Sequence, residues 1–271
     1  MNAKYDAQME NGFPDAATIA ATKLFDAFET GKHVAPVRDI LRQDIGQAYQ
    51  SQLINLNRWL ALGRLPVGRK IGLTTETARK TFKAMEPTCG FLFSDAMYGH
   101  QQVLPLDLMS QPIAEVEIAF RMASDITSIP STRDEVAKLI GAVLPAVEIA
   151  GSRVREWDVQ PVDMIADNAS AGLFVLGQAT PWSEFSPSDM PTVSCYRNGD
   201  CLDMSARNAW VLPNALSSTL WLAQKAIQLG RPLLRDEIIL TGSILKPFQI
   251  HRDDLVRVEF AGLGVVEFSV G

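Results

Sequence analysis

Two glutamates separated by one residue stand in Ile113-Ala-Glu-Val-Glu-Ile-Ala-Phe120. The segment alternates, which assigns Ala114, Val116, Ile118 and Phe120 to one face of a strand and Glu115 and Glu117 to the other. Residues i and i+2 of a strand lie roughly 6.5–7 Å apart, a span two glutamates can close onto one cation with oxygen ligands at about 2.1 Å. A solvated strand face carrying two ordinary acids is the plainer alternative. Glu148 shifts the balance, because every near neighbour in Leu144-Pro-Ala-Val-Glu-Ile-Ala-Gly151 is apolar or small, and an acid in such a run is seldom buried unless paired or metal-bound. An exposed strand position stays open for it. Three carboxylates without His or Cys partners select a hard ion, Mg²⁺ or Mn²⁺, over zinc or iron.

Further polar groups are candidates for substrate chemistry. Gly68-Arg-Lys-Ile-Gly-Leu-Thr-Thr75 sets two cations between glycines, so that Lys70 either faces an anionic substrate or marks an exposed strand end. Asp95 follows three apolar residues and is read as a general acid or base, an orienting group for one, or the start of a turn. Small side chains in Ala166-Asp-Asn-Ala-Ser-Ala-Gly172 permit close backbone approach to a ligand. Thr241-Gly242-Ser243 offers backbone N–H and hydroxyl donors to a carboxylate. Both loops also fit tight turns. Serine-hydrolase, P-loop and dinucleotide motifs are missing, and His33, His100 and His251 are isolated, which argues against a histidine metal site. Cys89, Cys195 and Cys201, odd in number and without zinc-like spacing, read as small core residues in a reducing compartment.

The elements that must position these groups fall into two stretches. Asp15 caps a helical pattern with Ile19, Leu24, Phe25 and Phe28 on its stripe, and a second pattern runs from Arg38 to about Leu62 before Gly63. Both are expected to supply packing or oligomer surface. From Val67 the texture becomes short β-like runs, interrupted by helices at 132–143, where Thr132 and Glu135 form a capping-box pattern, and at about 214–229, ending at Gly230. Asn198-Gly199 marks a tight hairpin, and four short runs follow near the carboxyl end. The expectation is an α+β protein with a curled, mostly antiparallel sheet: a helical region over 1–65 and a β-rich catalytic domain over 66–271. The net charge of −6, with mixed signs and no basic run, predicts neither a nucleic-acid nor a membrane partner. With no signal-like start or apolar span, a cytoplasmic location is expected.

Taken in order, GRKIGLT (68–74), FLFSDAMYG (91–99), QPIAEVEIAF (111–120), LPAVEIAGSR (144–153), ADNASAGLFVLG (166–177), ILTGS (239–243) and EFAGLG (259–264) resemble one family. It is that of the 2-hydroxypenta-2,4-dienoate (2-oxopent-4-enoate) hydratases, grouped with the 4-oxalocrotonate decarboxylases in the fumarylacetoacetate hydrolase superfamily. The likeness covers about residues 35–270. It implies a mixed β-roll with a helical amino-terminal region, a homo-oligomer, and a Mg²⁺ or Mn²⁺ ion held by the acids matching Glu115, Glu117 and Glu148. It also implies active-site positions at Lys70, Asp95 and Ser170, with the segment after Thr74 covering the site. Lys70 is then expected to stabilise negative charge and Asp95 to move a proton or orient water. The implied reaction adds water to a 2-hydroxy-2,4-dienoate to give a 4-hydroxy-2-oxo acid, in meta-cleavage catabolism of aromatic compounds. Ile113, Ala171 and Pro213-Asn214-Ala215 depart from the family pattern, which bears on the pocket wall more than on the ligands. GRKIGLT, where the decarboxylases tend to have GLKMGLT, places hydration ahead of decarboxylation. An acylpyruvate hydrolase would need a histidine base that neither His33 nor His100 matches. A non-catalytic partner subunit, or association with another pathway enzyme, is the reading from outside enzymology.

Overall fold

The computed structural model describes residues 9–10, 13–186, 192–206 and 211–271. Helix α1 (Ala16–Thr30) starts where the Asp15 side chain accepts the Thr18 N–H, and it stops at Gly31 in the left-handed conformation. Its buried face is Ala17, Ala20, Ala21, Leu24 and Ala27, whereas Ile19 and Phe28 of the expected stripe are each 38% exposed. Small alanines let the helix approach the body of the protein closely. The longer side chains wrap its flank, where Phe25 and Phe28 meet the Trp59 ring. Helix α2 (Ile45–Ala61) begins later than the periodicity predicts, because Asp44 caps it through the Gly46 and Gln47 N–H groups and Arg42 and Gln43 adopt positive φ.

The strands begin with β1 (Pro66–Gly72); α3 (Glu76–Phe82) precedes β2 (Thr88–Phe93), β3 (Met97–Gly99), β4 (Gln102–Leu104) and β5 (Ile113–Met122). Helix α4 (Arg133–Ala137) is one short turn, not the expected span 132–143. The Thr132 cap forms, but the chain from Ile140 enters β6 (Ile140–Ala150), where sheet pairing outweighs the weak helical pattern. Next come α5 (Pro161–Ala166), β7 (Leu173–Leu176), the Asn198-Gly199 hairpin of β8 (Thr192–Arg197) and β9 (Asp200–Ala206), and α6 (Val211–Gln228). Four strands close the chain: β10 (Ile238–Leu240), the two-residue strand Phe248–Gln249, which pairs with β5, then β11 (Leu255–Phe260) and β12 (Gly264–Val270). Cys201 is exposed on the edge strand β9 and is not the core residue expected, whereas Cys89 and Cys195 are buried.

The larger sheet has the order β2-β1-β10-β5-β6-β7-β3, and the smaller β9-β8-β11-β12-β4. In the larger one β1 is parallel to β10 and β3 to β7, while the β5–β6 pair at its centre is antiparallel. Its two end strands, β2 and β3, are joined by the three residues Ser94–Ala96. So short a link holds the opposite edges close together and curls the sheet. The fold is therefore α+β with a mixed β-roll, and one face of the roll carries the polar residues at issue. Helices α1 and α2 cover the outer face around Phe91 and Phe93, which pack with Leu56 and Trp59. Leu24, Leu41, Ala48 and Tyr49 also join the main core.

Candidate metal centre and active site

Strand register brings the acids together. Glu115 pairs directly with Glu148 across β5 and β6, and Glu117 lies two residues along on the same face. Lys70 pairs with Leu240, and Leu240 with Ala119, which puts Lys70 on that same face two strands away. Carboxylate oxygens of Glu115, Glu117 and Glu148 lie within 4.8 Å of one another. Glu117 and Glu148 are 0% exposed and Glu115 is half-buried, so the solvated-face alternative does not hold. The strand is buried on both faces; its alternation separates apolar from acidic, not buried from exposed.

Few protein groups satisfy these acids. Glu117 Oε2 accepts the Gly242 N–H at 2.7 Å. Lys70 Nζ approaches Glu148 Oε1 to 3.2 Å, an ion pair not aligned as a hydrogen bond. Glu117 Oε1 and both Glu148 oxygens are buried without a hydrogen-bond partner. Buried carboxylate oxygens left so are costly unless a cation takes them. Burial, followed by Glu148 and Glu115, pushes the Glu117 carboxyl well above the usual range. Burial likewise pushes Glu148 up to about 7, with Lys70 opposing and Glu115 adding to the shift. For Lys70 burial acts downward, but Glu148, Glu115 and Glu117 together overcome it, and the net shift is upward. One ammonium facing three clustered acids leaves an excess of negative charge that a hard divalent cation fits, with oxygen donors suited to Mg²⁺-like ions.

Ser170 stands in a turn of unusual backbone that packs against the strand carrying Lys70. Asn168, Ala169 and Ser170 have φ of 51°, 52° and 57° in succession, a conformation that costs energy and persists only when its surroundings enforce it. Arg153 supplies much of that enforcement. Its backbone N–H and Nε donate to the two Asp167 oxygens, at 3.0 and 2.5 Å, and its other nitrogens donate to the carbonyls of Asp167 and Ala171. The Asn168 amide pairs with both backbone groups of Phe91, at 2.8 and 2.9 Å. The turn packs against β1 and β2, and Gly90, the residue opposite Lys70, has no Cβ because the Asn168 carbonyl occupies that space. Ser170 Oγ is buried and has no protein partner.

Two expected roles change. Thr241 Oγ1 donates to the Ile118 carbonyl, Ser243 Oγ to that of Leu245, and the Gly242 N–H to Glu117. These donors are committed within the protein: the Gly242 N–H braces Glu117, and the two hydroxyls donate to backbone carbonyls. Asp95 receives a bidentate pair from Arg64 at 2.7 and 2.8 Å. Arg64 lies over the Phe93 ring at 4.2 Å, beside Trp59 and Phe28, on the helix-covered outer face. Lys70 is on the other face of the sheet, so the structure does not bring Asp95 to the carboxylates. The positioning residues Arg153, Asp167, Asn168 and Gly90 escaped the sequence reading of roles, and Gly242 is read there as a donor to substrate. Three of them stand in the quoted blocks LPAVEIAGSR and ADNASAGLFVLG, but what each one holds emerges only from contacts distant in sequence.

Comparison with known proteins agrees with this architecture. A family model described as fumarylacetoacetate (FAA) hydrolase C-terminal matches residues 54–271. The chain is 36% identical over 255 residues to a 2-keto-4-pentenoate hydratase of Paraburkholderia xenovorans (strain LB400), covering 93% of this chain and 94% of the relative. It is 34% identical over 261 residues to the TodF product hydratase of Pseudomonas putida (strain F1), covering 96% and 97%. Among solved structures, 4-oxalocrotonate decarboxylase from Pseudomonas putida G7 superposes with a TM-score of 0.88 over 98% of this chain and 100% of the other, at 24% identity, which supports the fold alone. The roll, its clustered acids and these relationships lead to one assignment: the chain belongs to the fumarylacetoacetate hydrolase family.

Proposed function

We propose that the chain is a divalent-metal-dependent hydro-lyase that adds water to a 2-hydroxy-2,4-dienoate, giving a 4-hydroxy-2-oxo acid in meta-cleavage catabolism of aromatic compounds. One observation carries the reading: three carboxylates within 4.8 Å beside a buried lysine, in a chain 36% identical to a 2-keto-4-pentenoate hydratase. Fold neighbours described as complexed with magnesium and adipate, and with Mn²⁺ and pyruvate, support Mg²⁺ or Mn²⁺ at Glu115, Glu117 and Glu148. Such an ion, when bound, supplies positive charge against the substrate's C1 carboxylate and C2 oxygen.

The chain's own residues account for the rest. The Lys70 ammonium, kept charged by the surrounding acids, stabilises negative charge developing on the C2 oxygen. The dienol loses its hydroxyl proton and gains one at C5, which yields a 2-oxo-3-enoate whose electrophilic carbon is C4. Water oxygen adds there and a proton enters at C3, for a net gain of one water. Ser170 Oγ, buried without a protein partner, orients that water, whereas Asp95 is paired with Arg64. A histidine-dependent hydrolase is disfavoured: His33 pairs with Ser110, His100 accepts the Glu267 N–H, and His251 lies beside Asp254. Leu62 and Leu65, 63% and 65% exposed, support assembly into a homo-oligomer. Among the described residues no helix is long and apolar enough to cross a membrane, in keeping with the proposed cytoplasmic location.

The direct test follows the ultraviolet absorbance of 2-hydroxypenta-2,4-dienoate with purified protein, with Mg²⁺ or Mn²⁺ and then with chelator, and identifies the product by mass. Metal-dependent loss of the dienol with gain of one water is the expected result. Loss of CO₂ from 4-oxalocrotonate without hydration of the dienoate would replace this reading by the decarboxylase.

A further inference from the structure

We propose that Glu237 is a positioning residue: by holding Arg69 on the outer face of the sheet, it decides that Lys70, and not its neighbour, faces the carboxylates. The inference rests on the hydratase reading above, in which Lys70 stabilises charge on the C2 oxygen of the substrate.

Neighbouring residues of a strand point to opposite faces, so β1 can present Arg69 or Lys70 to the acids but not both. Three clustered carboxylates attract either cation. The backbone of β1 leaves the choice open. Gly68 and Gly72 bracket the two cations, and the register against β2 shifts between Pro66 and Gly68, which places a bulge directly ahead of them. A slip of one residue at that bulge would exchange the faces of the residues that follow. The join to β10 is also short: Gly68, Arg69 and Lys70 pair with Ile238, Ile239 and Leu240, and β10 is three residues long.

Contacts on the outer face fix the frame. Arg69 Nη1 donates to Glu237 Oε1 at 2.7 Å, and its guanidinium lies 4.2 Å from the centre of the ring of Phe91, its partner on β2. Glu237 is itself anchored. Its Oε2 accepts the Leu234 N–H at 3.2 Å, and its carbonyl accepts the Met122 N–H at 3.0 Å from the end of β5. The carboxylate that takes Arg69 is thus tied to the strand that carries Glu115 and Glu117. Arg69 and Glu237 are 6% and 8% exposed. Burial pushes the guanidinium down and the carboxyl up, and their attraction offsets only part of either shift. A buried pair of this kind adds little net stability and selects one arrangement over its alternatives. Without Glu237, a buried cation is left unpaired with three carboxylates on the other side of its own strand.

The test compares Glu237→Leu, Arg69→Leu and the double variant for kcat on 2-hydroxypenta-2,4-dienoate and for Mg²⁺ affinity by calorimetry, at a temperature where circular dichroism shows each to be folded. Both single substitutions break the same contact, so a pair that only held the fold together would lower Tm in both and leave their kcat alike. Asymmetry is expected instead. Glu237→Leu, which frees the guanidinium, should lose at least about tenfold in kcat and about tenfold in Mg²⁺ affinity, whereas Arg69→Leu, which leaves Lys70 as the one cation of β1, should stay within about threefold. Adding Arg69→Leu to Glu237→Leu should return both quantities to within about threefold of the unaltered protein. Glu237→Gln, which keeps the shape and removes the charge, is expected to follow the same order and replaces Glu237→Leu if that variant does not fold. Equal effects in the two single variants, including none, or a double variant no better than Glu237→Leu, would overturn the role of Glu237 and leave hydration standing. No turnover by the unaltered protein would overturn the hydratase reading, and the Mg²⁺ affinities would then decide the frame by themselves.

Discussion

Glu115, Glu117 and Glu148 differ in how much the protein does for them. Glu117 is braced by the Gly242 N–H, Glu148 faces Lys70, and Glu115 is half-buried. Glu115→Ala is therefore expected to fold, to lose Mg²⁺ and Mn²⁺ binding by calorimetry, and to lower kcat at least about a thousandfold, equivalent to several kcal/mol of charge stabilisation. Full metal-dependent turnover by that variant would exclude it as a ligand. A pH dependence belongs to the same residues. Glu148 titrates at about 7 in the fold against an ordinary 4.5, and Glu117 is displaced the same way. Between those values the native state binds more protons than the unfolded chain, so their contribution to stability is complete below the ordinary value and is lost as pH rises through the folded one. The Tm of chelator-treated protein should therefore fall between about pH 5.5 and 8, and added divalent cation should raise it more at the upper end, since it binds the deprotonated acids. A chelated Tm that rises over this interval would contradict the burial of the pair.

Among the elements, the Asn168–Ser170 turn carries the most stringent demand. Its three positive φ values are tolerated because Arg153 ties down both ends and Asn168 substitutes for a strand residue against Phe91. Gly90 makes room for it, and a Cβ there would overlap backbone, which cannot swing aside as a side-chain tip does. Gly90→Ala is expected to cost about 1–3 kcal/mol in denaturant unfolding and to reduce kcat by shifting Ser170 while metal affinity is retained. Loss of metal binding alongside would show that the turn supports the carboxylates and not only the hydroxyl. The ladder from β1 through β10 to β5 plays the complementary part: it fixes the face of Lys70 through two registers, so the lysine needs no local sequence signal to meet acids 45 to 78 residues away.

For the whole molecule, the helices over 16–61 are continuous with the roll. Gln52 donates to the Cys89 and Ile165 carbonyls at 2.8 and 2.9 Å, and Leu41 and Tyr49 lie in the main core. A fragment of residues 66–271 is expected to be molten or insoluble, lacking cooperative unfolding by circular dichroism, because its Phe91 and Phe93 would lose their cover. A cooperative transition would instead make the roll an autonomous domain. The sequence by itself determined the identity of the acids, the strand alternation that aligns Glu115 with Glu117, the helix caps at Asp15 and Thr132, and the Asn198-Gly199 hairpin, because each depends on residues a few positions apart. It also carried the ordered blocks by which the family is recognised. Tertiary structure decided that Glu148 lies opposite Glu115, that Lys70 shares their face, and that the Thr241 and Ser243 hydroxyls and the Gly242 N–H donate within the protein. It also decided that Asp95 turns to Arg64 on the outer face. Those outcomes depend on pairing register and on which face each strand buries, and both are set by contacts across the curled sheet between residues far apart in the chain.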